Sequence, residues 1–290
     1  SWHTMGKPKK FNIVELGPGD GSLSKILIKS FKKFPEFNNI VKIFLYEKSK
    51  LLQKIQKKNI KNSRIKWVDN FAKIKEGPVI FFGNEFFDAI PIKQFLHKNK
   101  SIYEKYYIKN KNNKVSEIYK KASLKNIAEI NKFNTIKNLK FIEFPKLGLE
   151  ELKKIIKKIS TNTGGLLLID YGYLEPPNKS TLQSVMNHKK NKLLHNLGKA
   201  DVTSLVNFKL LKEHFAKNNL KVKKIVTQKY FLQKMGILNR ANNLSKKMSF
   251  KEKSNLYFRL QRLLDMRLMG DLFKVIFTFK FKKNNFLGFE

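Results

Sequence analysis

Glu15, Gly17, Gly19 and Gly21 are spaced E-x-G-x-G-x-G and stand where an apolar run gives way to a helical pattern. Alternating glycines tolerate positive φ and carry no Cβ, so the backbone can turn sharply and lie close to a ligand. The spacing is neither G-x-G-x-x-G nor G-x-x-x-x-G-K-[ST], and an acid at the mouth would repel phosphates, which argues against a phosphate cradle. More acids follow at regular structural positions. Glu47 comes 26 residues after Gly21, where a carboxylate can hydrogen-bond both hydroxyls of a ribose. Asp69 and the Gly83-Asn84-Glu85 turn come next, and then Asp88. Glu85 and Asp88 are spaced i, i+3 and share a face if the turn after Asn84 enters a helix. Two carboxylates there can grip a cation bidentately. Each residue also has a plainer reading: a glycine turn with no ligand, a solvated turn acid, or a helix cap in the case of Asp88. Phe86, Phe87 and Tyr171 fit either an apolar collar or ordinary core.

Strands must present these residues. Phe11, Ile13, Val14 and Leu16 form the first, and a helix from Ser22 ends near Phe34-Pro35. Residues 40–47, 64–69 and 78–82 give three more strands, with a helix over 51–60; such nearly continuous apolar runs between helices imply a parallel sheet buried on both faces. Glu15, Glu47, Asp69 and Asn84-Glu85 then occupy carboxyl ends, where open α/β sheets bind ligands. Residues 101–120 read as a β-hairpin with a loose tip at 109–114, within an insertion of about 101–147 that also holds a short strand at 141–144. A helix is expected from Gly148 to Ser160 and a fifth buried strand over 164–173. Residues 174–203 show no period and read as a lid over the strand ends. A helix over 204–216, a strand over 221–232, a long helix over 251–269 and a last strand over 272–281 complete one elaborated domain of 1–290.

The net charge of +39 would ordinarily suggest nucleic acid. Arg occurs only at 64, 240, 259, 262 and 267, however, and Lys supplies the rest, scattered beside abundant Asn and Ile. Base and phosphate readers rely on the guanidinium fork, so a coding bias toward A and T explains the charge better and a nucleic-acid partner is disfavoured. Cys is absent, and His3, His97, His188, His195 and His214 form no ligand pattern, so no metal is expected. No run of about 18 apolar residues marks a membrane span. Ser1-Trp2-His3-Thr4-Met5 lacks the form of a signal peptide and reads like the tail of a helix cut from a longer protein.

E-x-G-x-G-x-G resembles the first motif of class I S-adenosylmethionine (SAM) methyltransferases, in which the carboxylate faces the cationic amino-acid end of the cofactor. Across its length the chain resembles the MidA-like methyltransferases, the family of a mitochondrial complex I assembly factor that methylates arginine. The matching segments are V-E-L-G-P-G-D-G-S-L (14–23), G-N-E-F-F-D-A-I-P-I-K-Q-F (83–95), L-L-I-D-Y-G-Y (167–173), T-L-Q-S-V-M-N-H (181–188), G-K-A-D-V-T-S-L-V-N-F (198–208) and M-G-D-L-F-K-V (269–275). The resemblance implies a Rossmann-like α/β fold with a mostly parallel seven-stranded sheet, its last strand antiparallel, and SAM as methyl donor. It implies Glu15, Gly17, Gly19 and Gly21 at the methionine end, Glu47 at the ribose, Asp69 at the adenine and Asn84-Glu85 as the floor between cofactor and acceptor; Glu85 and Asp88, as the pair able to grip a guanidinium, are the candidate catalytic acids. It further implies a respiratory complex I core subunit as protein substrate, with a homodimer as one assembly. The location would be the bacterial cytoplasm, or the mitochondrial matrix in a eukaryote. Family members carry an upstream segment, and by the resemblance this sequence is expected to begin roughly where that segment ends; Asn207 stands where they more often have Asp. A non-catalytic assembly factor that keeps the fold and a nucleic-acid methyltransferase are the alternatives.

Overall fold

The apolar runs form strands whose order along the sheet differs from their order along the chain. A computed structural model describes every residue except 112, 113, 188, 283 and 284, so part of the 109–114 tip and His188 lie outside the described residues. The first strand, β1 (Phe11–Leu16), passes through the glycine turn into α1 (Ser22–Phe31), followed by α2 (Pro35–Ile40), β2 (Val41–Tyr46), α3 (Lys50–Ile60), β3 (Ile65–Val68) and β4 (Val79–Asn84). Then come β5 (Lys93–Lys98), β6 (Ser101–Lys109), β7 (Val115–Lys121), α4 (Leu124–Asn131), β8 (Phe141–Phe144), α5 (Lys146–Asn162) and β9 (Gly164–Tyr173). Short strands β10 (Gln183–Met186), β11 (Lys189–Asn191), β12 (Asp201–Thr203) and β13 (Val206–Asn207) precede α6 (Phe208–Lys217), β14 (Lys221–Val222) and β15 (Val226–Thr227). The chain ends with α7 (Gln228–Lys234), α8 (Ile237–Ser245), α9 (Phe250–Leu264), α10 (Met269–Leu272) and β16 (Phe273–Lys280).

Two compact units result. The first comprises Ser1–Phe86, Lys153–Tyr171 and Asn218–Glu290. Its sheet runs β3-β2-β1-β4-β9-β16-β14, with β1, β2, β3, β4 and β9 parallel and β16 antiparallel to β9 and to β14. Val14, Leu16, Leu45, Phe81, Leu166 and Leu168 are buried in it, as a sheet covered on both faces requires. The mostly parallel sheet with an antiparallel β16 agrees with the sequence expectation, but β15 also pairs with β16 and β13 with β9, so the sheet has nine strands where seven were expected. The expected strand over 221–232 is a correction: only β14 and β15 are extended, and at Thr227 the side chain accepts from the Tyr230 N–H and starts α7. The long helix over 251–269 likewise stops at Leu264, where Asp265 is extended.

The second unit comprises Phe87–Leu152 and Gly172–Lys217. It holds an antiparallel sheet in the order β7-β6-β5-β8 and a three-stranded sheet β11-β10-β12, where the sequence suggested a period-free loop. Its buried acids are occupied: Glu143 accepts from Gln94 Nε2 at 2.8 Å and from Thr181 N at 2.9 Å, and Glu104 accepts from Asn126 Nδ2 at 2.8 Å. Asn207 Oδ1 accepts from Leu210 N at 3.0 Å at the start of α6, a capping role that either Asn or Asp can fill. Burial first, and then the nearby Glu143 charge, push the Tyr173 hydroxyl above its ordinary range, against a hydrogen bond with Asn207 that lowers it.

Candidate functional site

Glu15, Glu47, Asp69 and Asn84-Glu85 stand at the carboxyl ends of four adjacent strands of the first unit. The chain leaves β1 with Gly17, Gly19 and Gly21 all at positive φ (62°, 54° and 85°), and the Gly17 N–H donates to the Tyr46 carbonyl at 3.1 Å, pinning the turn to the end of β2. A Cβ on Gly17 would stand 3.1 Å from the Phe86 ring, whereas one on Gly19 would meet nothing within 4 Å. The turn therefore packs its first glycine against Phe86 and leaves open space over its second.

Two buried carboxylates flank this turn. Glu15 is 4% exposed, and Ser24 in the first turn of α1 donates its hydroxyl to Oε2. Glu47 follows β2 and accepts from Ser49 N at 2.8 Å and from Gln56 Nε2 at 3.3 Å. A carboxylate has about four lone-pair sites, so both acids keep capacity for a ligand. Gln56 was not singled out from the sequence, yet it is fully buried and joins the parts: Nε2 also donates to Gly19 O at 2.8 Å, and Oε1 accepts from Trp67 Nε1 at 2.9 Å. Ser24 was missed likewise. Both are polar residues on amphipathic helices, where sequence alone reads a solvated position.

The remaining candidates differ in character. Asp69 is exposed beyond β3, beside Lys73 at 3.5 Å, and its carboxyl is held below the usual range by backbone hydrogen bonding first and the Lys73 charge second. It borders a cavity of about 510 Å³ with Tyr46 and Phe71. Asn84 and Glu85 are exposed at the end of β4, where Asn84 Nδ2 donates to Glu85 Oε1 at 3.2 Å and the Glu85 N–H to Ile169 O at 2.9 Å. The turn after Asn84 enters no helix: Glu85 adopts a left-handed φ of 51° and turns follow, so the condition for Glu85 and Asp88 to share a helix face is not met. Asp88 belongs to the second unit, where it is buried and its backbone carbonyl accepts from Ser204 N at 3.1 Å. By register, Asp170 directly follows Ile169, the partner of Asn84, which places a buried acid at the next position on the neighbouring strand.

Open space over a glycine turn, with buried acids on either side at parallel strand ends, fits a ligand that carries a cation and vicinal hydroxyls. That combination on a mostly parallel α/β sheet suits a nucleoside-bearing cofactor. Residues 1–226 match the family model described as "Putative S-adenosyl-L-methionine-dependent methyltransferase", and the chain belongs to that family, with SAM as its cofactor. Among curated relatives, a mitochondrial protein arginine methyltransferase NDUFAF7 homolog of Caenorhabditis elegans is 28% identical over 82% of this chain, and protein arginine methyltransferase NDUFAF7 of Danio rerio is 23% identical over 94%. The chain spans 61% and 70% of those two proteins. A COG1565 superfamily protein of Burkholderia thailandensis, crystallised with S-adenosyl-homocysteine, superposes with a TM-score of 0.78 at 18% identity over 100% of this chain and 74% of its own. The resemblance drawn from the six sequence segments therefore holds, and no helix among the described residues is long and apolar enough to cross a membrane.

Proposed function

We propose that this protein is a class I methyltransferase that transfers a methyl group to arginine on a protein, with a respiratory complex I core subunit as the substrate. The strand order β3-β2-β1-β4-β9-β16-β14, with β16 reversed, supports the class I assignment. The buried Glu15 and Glu47 on either side of the open glycine turn carry the cofactor reading. In it Gly17, Gly19 and Gly21 lie under the methionine end, Glu15 faces the ammonium, Glu47 accepts from the ribose hydroxyls and Asp69 and Asn84 border the adenine side and the floor. The names of the relatives support arginine as the acceptor, and their mitochondrial designation supports the matrix as the location in a eukaryote.

Bound SAM supplies a methyl group on a sulfonium centre, open to in-line displacement. The chain has to align a guanidinium, exclude water and localise positive charge away from the attacking nitrogen. Glu85 is the proposed acceptor-facing carboxylate; Asp88 and Asp170 are the further acids proposed for this task. Charge-assisted hydrogen bonds are roughly twice as strong as neutral ones, so Glu85→Gln keeps the shape and loses the grip. The test is a parallel SAM titration and a methylation assay with the complex I core subunit of the same organism, on the full-length protein. Methylation is expected to collapse in Glu85→Gln while SAM affinity stays within about twofold. Full turnover by the variant would move the role to Asp88 or Asp170. Failure of the wild type to methylate, with SAM still bound, would favour an assembly factor that retains the fold.

A further inference from the structure

Arginine is scarce in this chain and unevenly placed. Arg240, Arg259, Arg262 and Arg267 fall within 28 residues, and Arg64 stands alone; elsewhere every cationic side chain but histidine is Lys. A guanidinium offers a planar fork that matches a carboxylate in two hydrogen bonds, which an ammonium cannot reproduce. The segment that keeps arginine is α8 and α9 with the turn that follows. All four arginines are exposed, and among the described residues Arg267 alone of the four has an acidic partner, Asp265 at 3.2 Å.

The same segment leaves aromatic surface uncovered. A capping box between Ser249 and Glu252 fixes the start of α9, yet none of its 15 residues is fully buried. Phe250 is 86% exposed, and Tyr257 and Phe258 are each 64% exposed, with their rings meeting edge to face at 5.9 Å. Phe258 and Arg262 lie one turn apart, as do Arg259 and Arg262, so one side of α9 presents a ring and two forks together. Exposed aromatics beside arginine match the composition of an interface centre and not that of a solvated helix.

Charge selects the occupant. An anionic lipid surface attracts lysine as well as arginine near it, and apart from Arg64 lysine is what the chain places elsewhere, so a lipid surface does not account for four arginines gathered here. A second copy of the chain would bring the same arginines and another +39 of charge against this face. We propose that the α8–α9 face is a docking surface for an acidic protein segment in which carboxylates alternate with apolar side chains. This assignment is independent of the methyl-transfer reading.

The probe is a phage-displayed library of random dodecapeptides, panned on the full chain at about 150 mM salt, where diffuse attraction is screened beyond roughly 8 Å. Enriched peptides are expected to carry two or more Asp or Glu beside Leu or an aromatic residue. Their affinity should fall roughly tenfold in the double variant Arg259→Lys/Arg262→Lys, although net charge is unchanged, and comparably in Tyr257→Ala/Phe258→Ala. Arg64→Lys should bind like wild type. No enrichment, enrichment without acidic bias, or equal binding by the double-lysine variant overturns the proposal. So does arginine-dependent binding to vesicles containing about one-third phosphatidylserine without peptide binding. A concentration-dependent dimer that the same substitutions dissociate would assign the face to a second copy and overturn it as well.

Discussion

Burial raises the Glu15 carboxyl above its ordinary value of 4.5, with the Ser24 hydroxyl pulling it down and the Asp20 charge adding a smaller upward push. A raised folded-state value means that the folded chain holds this proton to higher pH than the unfolded chain does. Stability therefore declines as pH rises from about 4.5 through the folded-state value. Glu15→Gln should flatten that part of the Tm-against-pH curve; parallel curves for variant and wild type would sink the assignment of the burial cost to this residue. Glu47 poses a different question, since its oxygens already accept from Ser49 and Gln56. Glu47→Ala should weaken SAM by about 1–3 kcal/mol, the cost of leaving hydroxyls unpaired in a half-closed site. Asp20→Ala, whose carboxylate is turned to Ser22 at 2.9 and 2.7 Å, should weaken it much less in the same calorimetric titration. Equal losses would mean that the end of β2 is not the ribose site. The glycines and acids were legible in the sequence because such residue types are conspicuous where apolar strands end. Gln56 and Ser24 were not, because a polar residue in a helix reads as solvated until a tertiary neighbour is known.

Strands β1, β2, β4, β9 and β16 were legible for a related reason: burial on both faces produces a short, largely apolar run with only isolated polar positions. The entry to β9 shows how tightly that sheet is specified. Gly164 has a φ of 135°, and a Cβ there would lie 1.8 Å from the Val79 carbonyl oxygen on β4. Gly164→Ala combines backbone strain with overpacking and should destabilise by roughly 2–6 kcal/mol. Urea unfolding would measure it, and a loss under about 1 kcal/mol would mean that the two strands can separate at little cost. Other elements were hidden. Strand β5 follows a turn with no clear apolar period and pairs with β8 across more than 40 residues of sequence. Strands β10, β11 and β12 are three or four residues long and half-exposed, so hydrophobic pattern carries almost no trace of them. The alternation over 221–232 was misleading because Thr227 caps a helix in its middle, and a local side-chain hydrogen bond outweighed a weak β pattern.

At the scale of the whole molecule the charge of +39 must act on any polyanion, whatever the site does. The cations lie in both units and are almost all Lys, which supplies point charges and little base readout. Binding to duplex DNA is therefore expected at low salt and should be indifferent to sequence. Its affinity should fall about 10³-fold or more between roughly 50 and 200 mM salt, because each phosphate neutralised releases condensed counterions whose entropy gain shrinks as salt rises. Anisotropy titrations on two unrelated duplexes across that range would measure both slope and specificity. SAM binding should change little over the same interval, since Glu15 and Glu47 are buried and buried charges are weakly screened. DNA binding that persists at 200 mM salt, or prefers one duplex by tenfold or more, would bring back a nucleic-acid acceptor and displace the protein-arginine reading. Loss of both duplexes with SAM retained would leave the lysines as a compositional background, against which the arginines of α8 and α9 stand out.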